Sequence, residues 1–150
     1  VGTLVRGAWR GAGTRNKPLA TSVITDTDNN YLYSHEVGFD DDGSPMTAYV
    51  ESGDLEIEEG QRFMMISRVI PDFAFSGTTS DASIDMTIKG KDFPLGSTST
   101  LATATVTSST DQNHIRARAR HPIVRLESSG SGYGWRLGDL RFDIRSDGRR

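Results

Sequence analysis

The chain has 150 residues, of which 35% are hydrophobic, with 16 glycines, no cysteine and a formal charge of -3. That length suffices for one domain with a real core, or for one and a half small ones, and the missing cysteine excludes a disulfide framework and a thiolate metal site. No apolar run approaches the roughly 20 residues of a membrane-spanning helix.

The low apolar content and the abundance of glycine, serine, threonine and aspartate predict a thin core and many turns, which suits an all-β protein. The net charge hides a segregation. Between Asp26 and Glu59 there are eleven acids and no lysine or arginine, whereas from Arg116 onward there are nine arginines against four acids. Such asymmetry fits a protein with one face toward a polyanion or an acidic neighbour. It fits equally a chain whose two halves neutralise one another, within one fold or between subunits.

In chain order, Thr3-Leu4-Val5-Arg6 already reads as a strand and continues to Trp9. We therefore expect Val1 to open a fragment or processed piece of a longer polypeptide. Gly11 to Pro18 is a loop, because glycine and a fixed proline φ both interrupt regular structure. Leu19 to Thr25, the turn Asp26 to Asn30 and Tyr31 to Val37 read as a hairpin. With a tryptophan ahead of it, this unit looks like a blade edge of a β-propeller, although sandwiches contain it too.

Asp40-Asp41-Asp42-Gly43-Ser44-Pro45 is an acidic turn. A calcium loop needs glycine at the sixth position and glutamate at the twelfth, and counting from Asp26 those positions are Tyr31 and Val37. Aspartate and glycine are simply common turn residues, so no metal is expected. Met46 to Ser52, Asp54 to Ile57 and Gln61 to Ile70 follow as strands, the last apolar enough to be central. Phe73 and Phe75 share a face of Asp72 to Ser76. Ile84, Met86 and Ile88 share a face of Ser83 to Lys89. Ser97 to Thr110 reads as an edge strand or a loose loop.

The last thirty-five residues carry the clearest pattern. In Arg116 to Arg120 the arginines take one face and Ala117 and Ala119 the other, because successive strand side chains point to opposite sides. Ile123 to Glu127 and Leu140 to Arg145 are half-buried strands by the same alternation, and Tyr133, Trp135 and Leu137 resume it after the Ser128 to Gly132 loop. No segment has helical periodicity. Short strands separated by turns every ten or so residues, from Ala48 to Arg145, predict an antiparallel β-sandwich or jelly-roll-like domain over residues 46–150. Residues 1–45 read as a separate β-hairpin region whose strands would complete a β-propeller.

Catalytic constellations are missing from the pattern. His35, His114 and His121 are far apart and none has a second ligand at metal spacing. No serine sits in a strand-turn-helix elbow. Glu56, Glu58 and Glu59 lie on one short stretch, whereas a glycosidase opposes two carboxylates across a cleft. The expectation is a non-enzymatic protein without cofactor. Arg116, Arg118 and Arg120 would form a ladder with a spacing of about 7 Å, able to grip phosphates or to pair with an acidic segment of a neighbouring subunit. The second is favoured, since a sequence-independent grip on DNA needs a net basic domain.

Tyr31 to Gly38, Ala48 to Gly53, Phe63 to Asp72 and Trp135-Arg136-Leu137-Gly138 through Asp147-Gly148-Arg149-Arg150 occur here in an order that resembles the C-terminal region of the tail nozzle or tail hub proteins of short-tailed double-stranded DNA bacteriophages. The resemblance spans nearly the whole chain. It implies a structural component of the virion tail, a homo-oligomeric ring beneath portal and adaptor that forms part of the channel for genome ejection. Adaptor, fibre or spike proteins would be its partners, with transient sequence-independent contact to genomic DNA. It also implies a β-propeller ahead of this region and Asp-Gly-Arg-Arg as the C-terminal end. The family's proteins are several times longer.

In a ring, an acidic patch on one protomer meets a basic patch on the next. The candidate basic interface or lumen residues are Arg116, Arg118, Arg120, Arg141 and Arg145, with Arg149 and Arg150. The candidate acids are Asp40, Asp41 and Asp42, with Glu56, Glu58 and Glu59. The alternative is a β-sandwich binding module that recognises carbohydrate or a tail fibre through Tyr133 and Trp135. That reading requires their rings on an exposed rim, whereas a structural role predicts Trp135 packed in the core.

Overall fold

The computed structural model describes residues 6–11, 13, 16–22, 31–77 and 80–149. The expected strand residues 3–5 and 23–25 and the turn at 26–30 lie outside them. Strands β1 (Arg6–Arg10), β2 (Leu19–Ser22) and β3 (Leu32–Ser34) form an antiparallel sheet in that order. Trp9 stands opposite Ala20, and Leu19 opposite Ser34. Within this sheet Ala20 is buried while Trp9 and Leu32 are 56% and 67% exposed, so its described residues form no core of their own. The acidic turn follows. Asp41 and Ser44 exchange both backbone hydrogen bonds, each 2.9 Å, around Asp42 and Gly43, which both have positive φ. A tight turn with two left-handed central residues favours such an Asp-Gly pair.

The remaining strands are β4 (Ala48–Glu51), β5 (Met64–Ile70), β6 (Phe73–Gly77), β7 (Ser83–Lys91), β8 (Ser99–Thr107), β9 (Asn113–Ala119), β10 (His121–Ser128), β11 (Tyr133–Leu137) and β12 (Arg141–Ser146). One antiparallel sheet has the order β4-β10-β7-β8 and a second the order β12-β5-β9. β6 pairs with β11 beyond the second sheet, where Pro71-Asp72 and Gly138 to Leu140 interrupt one long ribbon. Proline brings no donor to a ladder, yet the ribbon stays joined by the Gly138 amide donating to the Asp72 carbonyl at 2.8 Å. Among the described residues the architecture is all-β and sandwich-like, with no sheet closed into a barrel.

Period-two alternation places the core. Ile84, Met86 and Ile88 of β7, Val124 and Leu126 of β10 and Val106 of β8 meet Ile66 and Val69 of β5 and Ala117 of β9. Phe73, Phe75, Trp135 and Phe142 pack against this cluster from its margin. β8 is an edge strand, as one of the two readings of its serine and threonine content expects, and β5 is central in its sheet.

Two expectations change. Asp54 to Ile57 is extended but belongs to no strand: the Leu55 amide donates to the Pro122 carbonyl at 2.9 Å, and a single 3-10 turn, Glu58–Gly60, then bends the chain away. The alternation Leu140, Phe142, Ile144 also weakens at its last member: Ile144 stands opposite Ile66, across a register shift between Asp143 and Ile144, yet it is 38% exposed.

Candidate functional site

The outer face of the sheet β12-β5-β9 gathers the arginines. Register sets Arg118 and Arg145 on either side of Met65, and His114 and Asp143 on either side of Arg68. Arg116 lies between His114 and Arg118 on the same side of β9, since Ala117 and Ala119 face the core. Arg141 stands opposite Ile70 at the far end.

Two acids answer these cations. Arg68 pairs with Asp143 at 2.7 Å, and Arg118 with Asp147 at 2.6 Å. The Arg118 guanidinium also covers the Phe63 ring, 3.9 Å from its centroid, with Arg120 at 4.9 Å beside it. This stacking explains why Phe63 is buried beside so polar a face. Arg120 donates to the Arg149 carbonyl, which ties the chain end to β9. Among the described residues, no hydrogen bond or ion pair engages the side chains of Arg116, Arg141 and Arg145, all three exposed. Arg150 and the Glu58 side chain lie outside the described residues.

The candidate acids lie elsewhere. Asp40 accepts a hydrogen bond from the Gly132 amide at 2.6 Å, which holds the acidic turn against the loop before β11. Asp41 and Asp42 form the tight turn beside it. Glu56 lies 3.0 Å from His121 Nδ1, and Glu59 is exposed with a left-handed φ of 55°. The ion pairs of the C-terminal arginines run to other acids, Asp147, Glu51 and Glu127.

Tyr133 and Trp135 do not form a rim. Tyr133 is buried and its hydroxyl donates to the Ser83 carbonyl at 2.7 Å. Trp135 donates from Nε1 to Ser128 Oγ at 2.8 Å and lies edge-on to Phe73, with centroids 5.9 Å apart. Both polar tips are satisfied inside the fold, the usual condition for burying these rings.

The fold also assembles a cluster that spacing along the chain hides. Asp54 and Glu56 project from the same side of an extended segment, one residue apart, while Leu55 between them packs on the core. The Leu55 to Pro122 hydrogen bond sets this segment beside the first residue of β10, which is His121. Asp54, Glu56 and His121 thereby offer three ligand atoms within 4.8 Å of one another. Lys91, opposite His121 in the ladder, pairs with Asp54 at 2.7 Å. No period or motif announces this, because it depends on which strand a segment lies beside.

A scan against protein-family models returns no match, and a search of curated proteins returns none.

Proposed function

We propose that the chain is a non-enzymatic structural component of a bacteriophage tail, a nozzle or hub protein that assembles as a ring around the channel for genome ejection and docks neighbouring tail proteins. The observation that carries this reading is the arginine face of β12-β5-β9. Arg116, Arg141 and Arg145 point outward without an acid of their own chain among the described residues, while the acidic turn Asp40 to Asp42 sits at the surface by the loop before β11. Complementary patches at different places on one molecule suit heterologous contacts, and these close into rings. The ordered sequence resemblance to the nozzle family supports the same reading.

The sheet β1-β2-β3 fits as the closing part of a β-propeller. Exposed Trp9, Tyr31 and Leu32 would be covered there by further strands of the same propeller. The carbohydrate or fibre-binding alternative loses its support at Tyr133 and Trp135, whose rings are packed.

The test is electron microscopy with light scattering of the purified polypeptide. Closed rings with a central channel are expected, and the combined substitutions Arg116→Glu, Arg141→Glu and Arg145→Glu should disperse them while circular dichroism stays unchanged. A monomer at every concentration and salt would overturn the reading.

A further inference from the structure

His121 is 3% exposed, and its Nδ1 is buried without a hydrogen-bond partner. Glu56 Oε1 is close, at 3.0 Å, but lies off the direction of a ring N–H, so proximity does not become a hydrogen bond. A buried ring nitrogen left in this state calls for an explanation. The ring is also held in place: a Cβ at Gly60 would stand 2.8 Å from His121 Cε1, and Gly60 has a φ of +72° that suits glycine. The 3-10 turn is thus shaped around the imidazole.

We propose that Asp54, Glu56 and His121 bind one divalent transition-metal ion of the zinc type. The donors are one imidazole nitrogen and two carboxylates, a set suited to zinc and its neighbours rather than to magnesium, which prefers oxygen ligands and its own water shell. The 3.0 Å separation of His121 Nδ1 and Glu56 Oε1 is what two ligands on one ion require, since each stands about 2.0–2.2 Å from zinc. Two carboxylates balance the ion's charge. Both are partly exposed, at 28% and 45% of their side chains, which leaves room for water to complete the shell.

Lys91 is the competitor, because its ammonium holds Asp54 at 2.7 Å. It has a second anchor in the Pro94 carbonyl at 3.0 Å, so it keeps a partner when Asp54 turns to a metal. Bound metal would tie the segment from Asp54 to Gly60 onto the start of β10.

The experiment is calorimetric titration of the chain with zinc chloride in a non-coordinating buffer near pH 7.5, with magnesium chloride as control and thermal unfolding as a second readout. One zinc per chain and a raised unfolding midpoint are expected, with no response to magnesium. Glu56→Gln and Asp54→Asn, at exposed positions that the fold tolerates, should each weaken binding by at least about tenfold. Lys91→Met should tighten it. Lack of saturable zinc binding, or binding that neither carboxylate variant changes, would overturn the site. Lys91→Met with unaltered affinity would remove Asp54 from the ligand set and overturn the three-ligand site.

Discussion

The two outer faces of the sandwich rest on one core but treat their charges in opposite ways. On β4-β10-β7-β8, Arg125 is bracketed by Glu51 at 3.3 Å and Glu127 at 3.0 Å, Lys89 holds Glu51 at 2.7 Å, and the Arg125 guanidinium lies 3.9 Å over the Tyr49 ring. Glu51 thus answers Arg125 and Lys89 across strands, the arrangement that stabilises sheet faces, and Glu127 answers Arg125 along β10 itself. On β12-β5-β9, Arg68 and Arg118 have acids, while Arg116, Arg141 and Arg145 have none among the described residues. A face that neutralises itself offers little to a charged partner, and a face with surplus guanidinium groups offers fork-shaped donors for carboxylate or phosphate. The contrast points to the second sheet as the working surface.

The largest effect should come from the core that both faces share. Ile66, fully buried on β5 between Met65 and Ser67, touches the cluster formed by the two sheets. Ile66→Ala should cost about 2–5 kcal/mol, read as a fall in the urea midpoint followed by tryptophan fluorescence. A cost below that range would mean that the two sheets do not depend on one another. Next in size is the arginine face itself. Reversing Arg116, Arg141 and Arg145 should abolish assembly without moving the urea midpoint, whereas Arg125→Glu on the neutralised face should leave assembly intact. If Arg125→Glu disperses the rings just as well, the two faces are not different in kind.

A smaller effect separates a subunit partner from nucleic acid. If duplex DNA is the partner of the surplus arginines, replacing the three by glutamine should flatten the dependence of log affinity on log salt by about 0.9 for each phosphate that the protein no longer neutralises. An unchanged slope, measured by fluorescence anisotropy with labelled duplex, would assign the face to protein partners alone.

Much of this architecture is legible in the sequence, for a physical reason. A strand's two faces alternate, so Ile84, Met86 and Ile88, Phe73 and Phe75, and Ala117 and Ala119 declare their inner side by spacing alone. What spacing does not contain is pairing. That β4 lies along β10, with Glu51 opposite Arg125, is fixed by interactions between residues 74 positions apart. The same long-range pairing puts Asp54 and Glu56 beside His121, and the histidine looks isolated in the sequence for that reason. Bulges are likewise invisible: nothing in the sequence shows that Ser67 of β5 has no partner on β12, between Ile66 opposite Ile144 and Arg68 opposite Asp143. The arginine face is readable as a ladder on β9, but its second half on β12 and the Phe63 ring beneath Arg118 and Arg120 follow only from the register.

The finest distinction between the faces is their response to acid. Glu51 is held below the ordinary glutamate value of 4.5, first by its hydrogen bond to Lys89 and then by that to Arg125. Glu127 is held below the same value chiefly by Arg125. Because the folded state lowers both, the unfolded chain binds more protons in acid. The stabilisation they lend is present above 4.5 and is lost as the pH falls through their depressed values. Arg125→Met should therefore raise the titration midpoint of Glu127 most of the way to 4.5 and that of Glu51 less, since Lys89 remains, as followed by carboxyl-carbon NMR. Raising the salt should move both midpoints in the same direction, because exposed pairs are screened. A Glu127 midpoint indifferent to Arg125→Met would mean that the pairing is not maintained in solution, and the neutralised face would then be as open to partners as the arginine face.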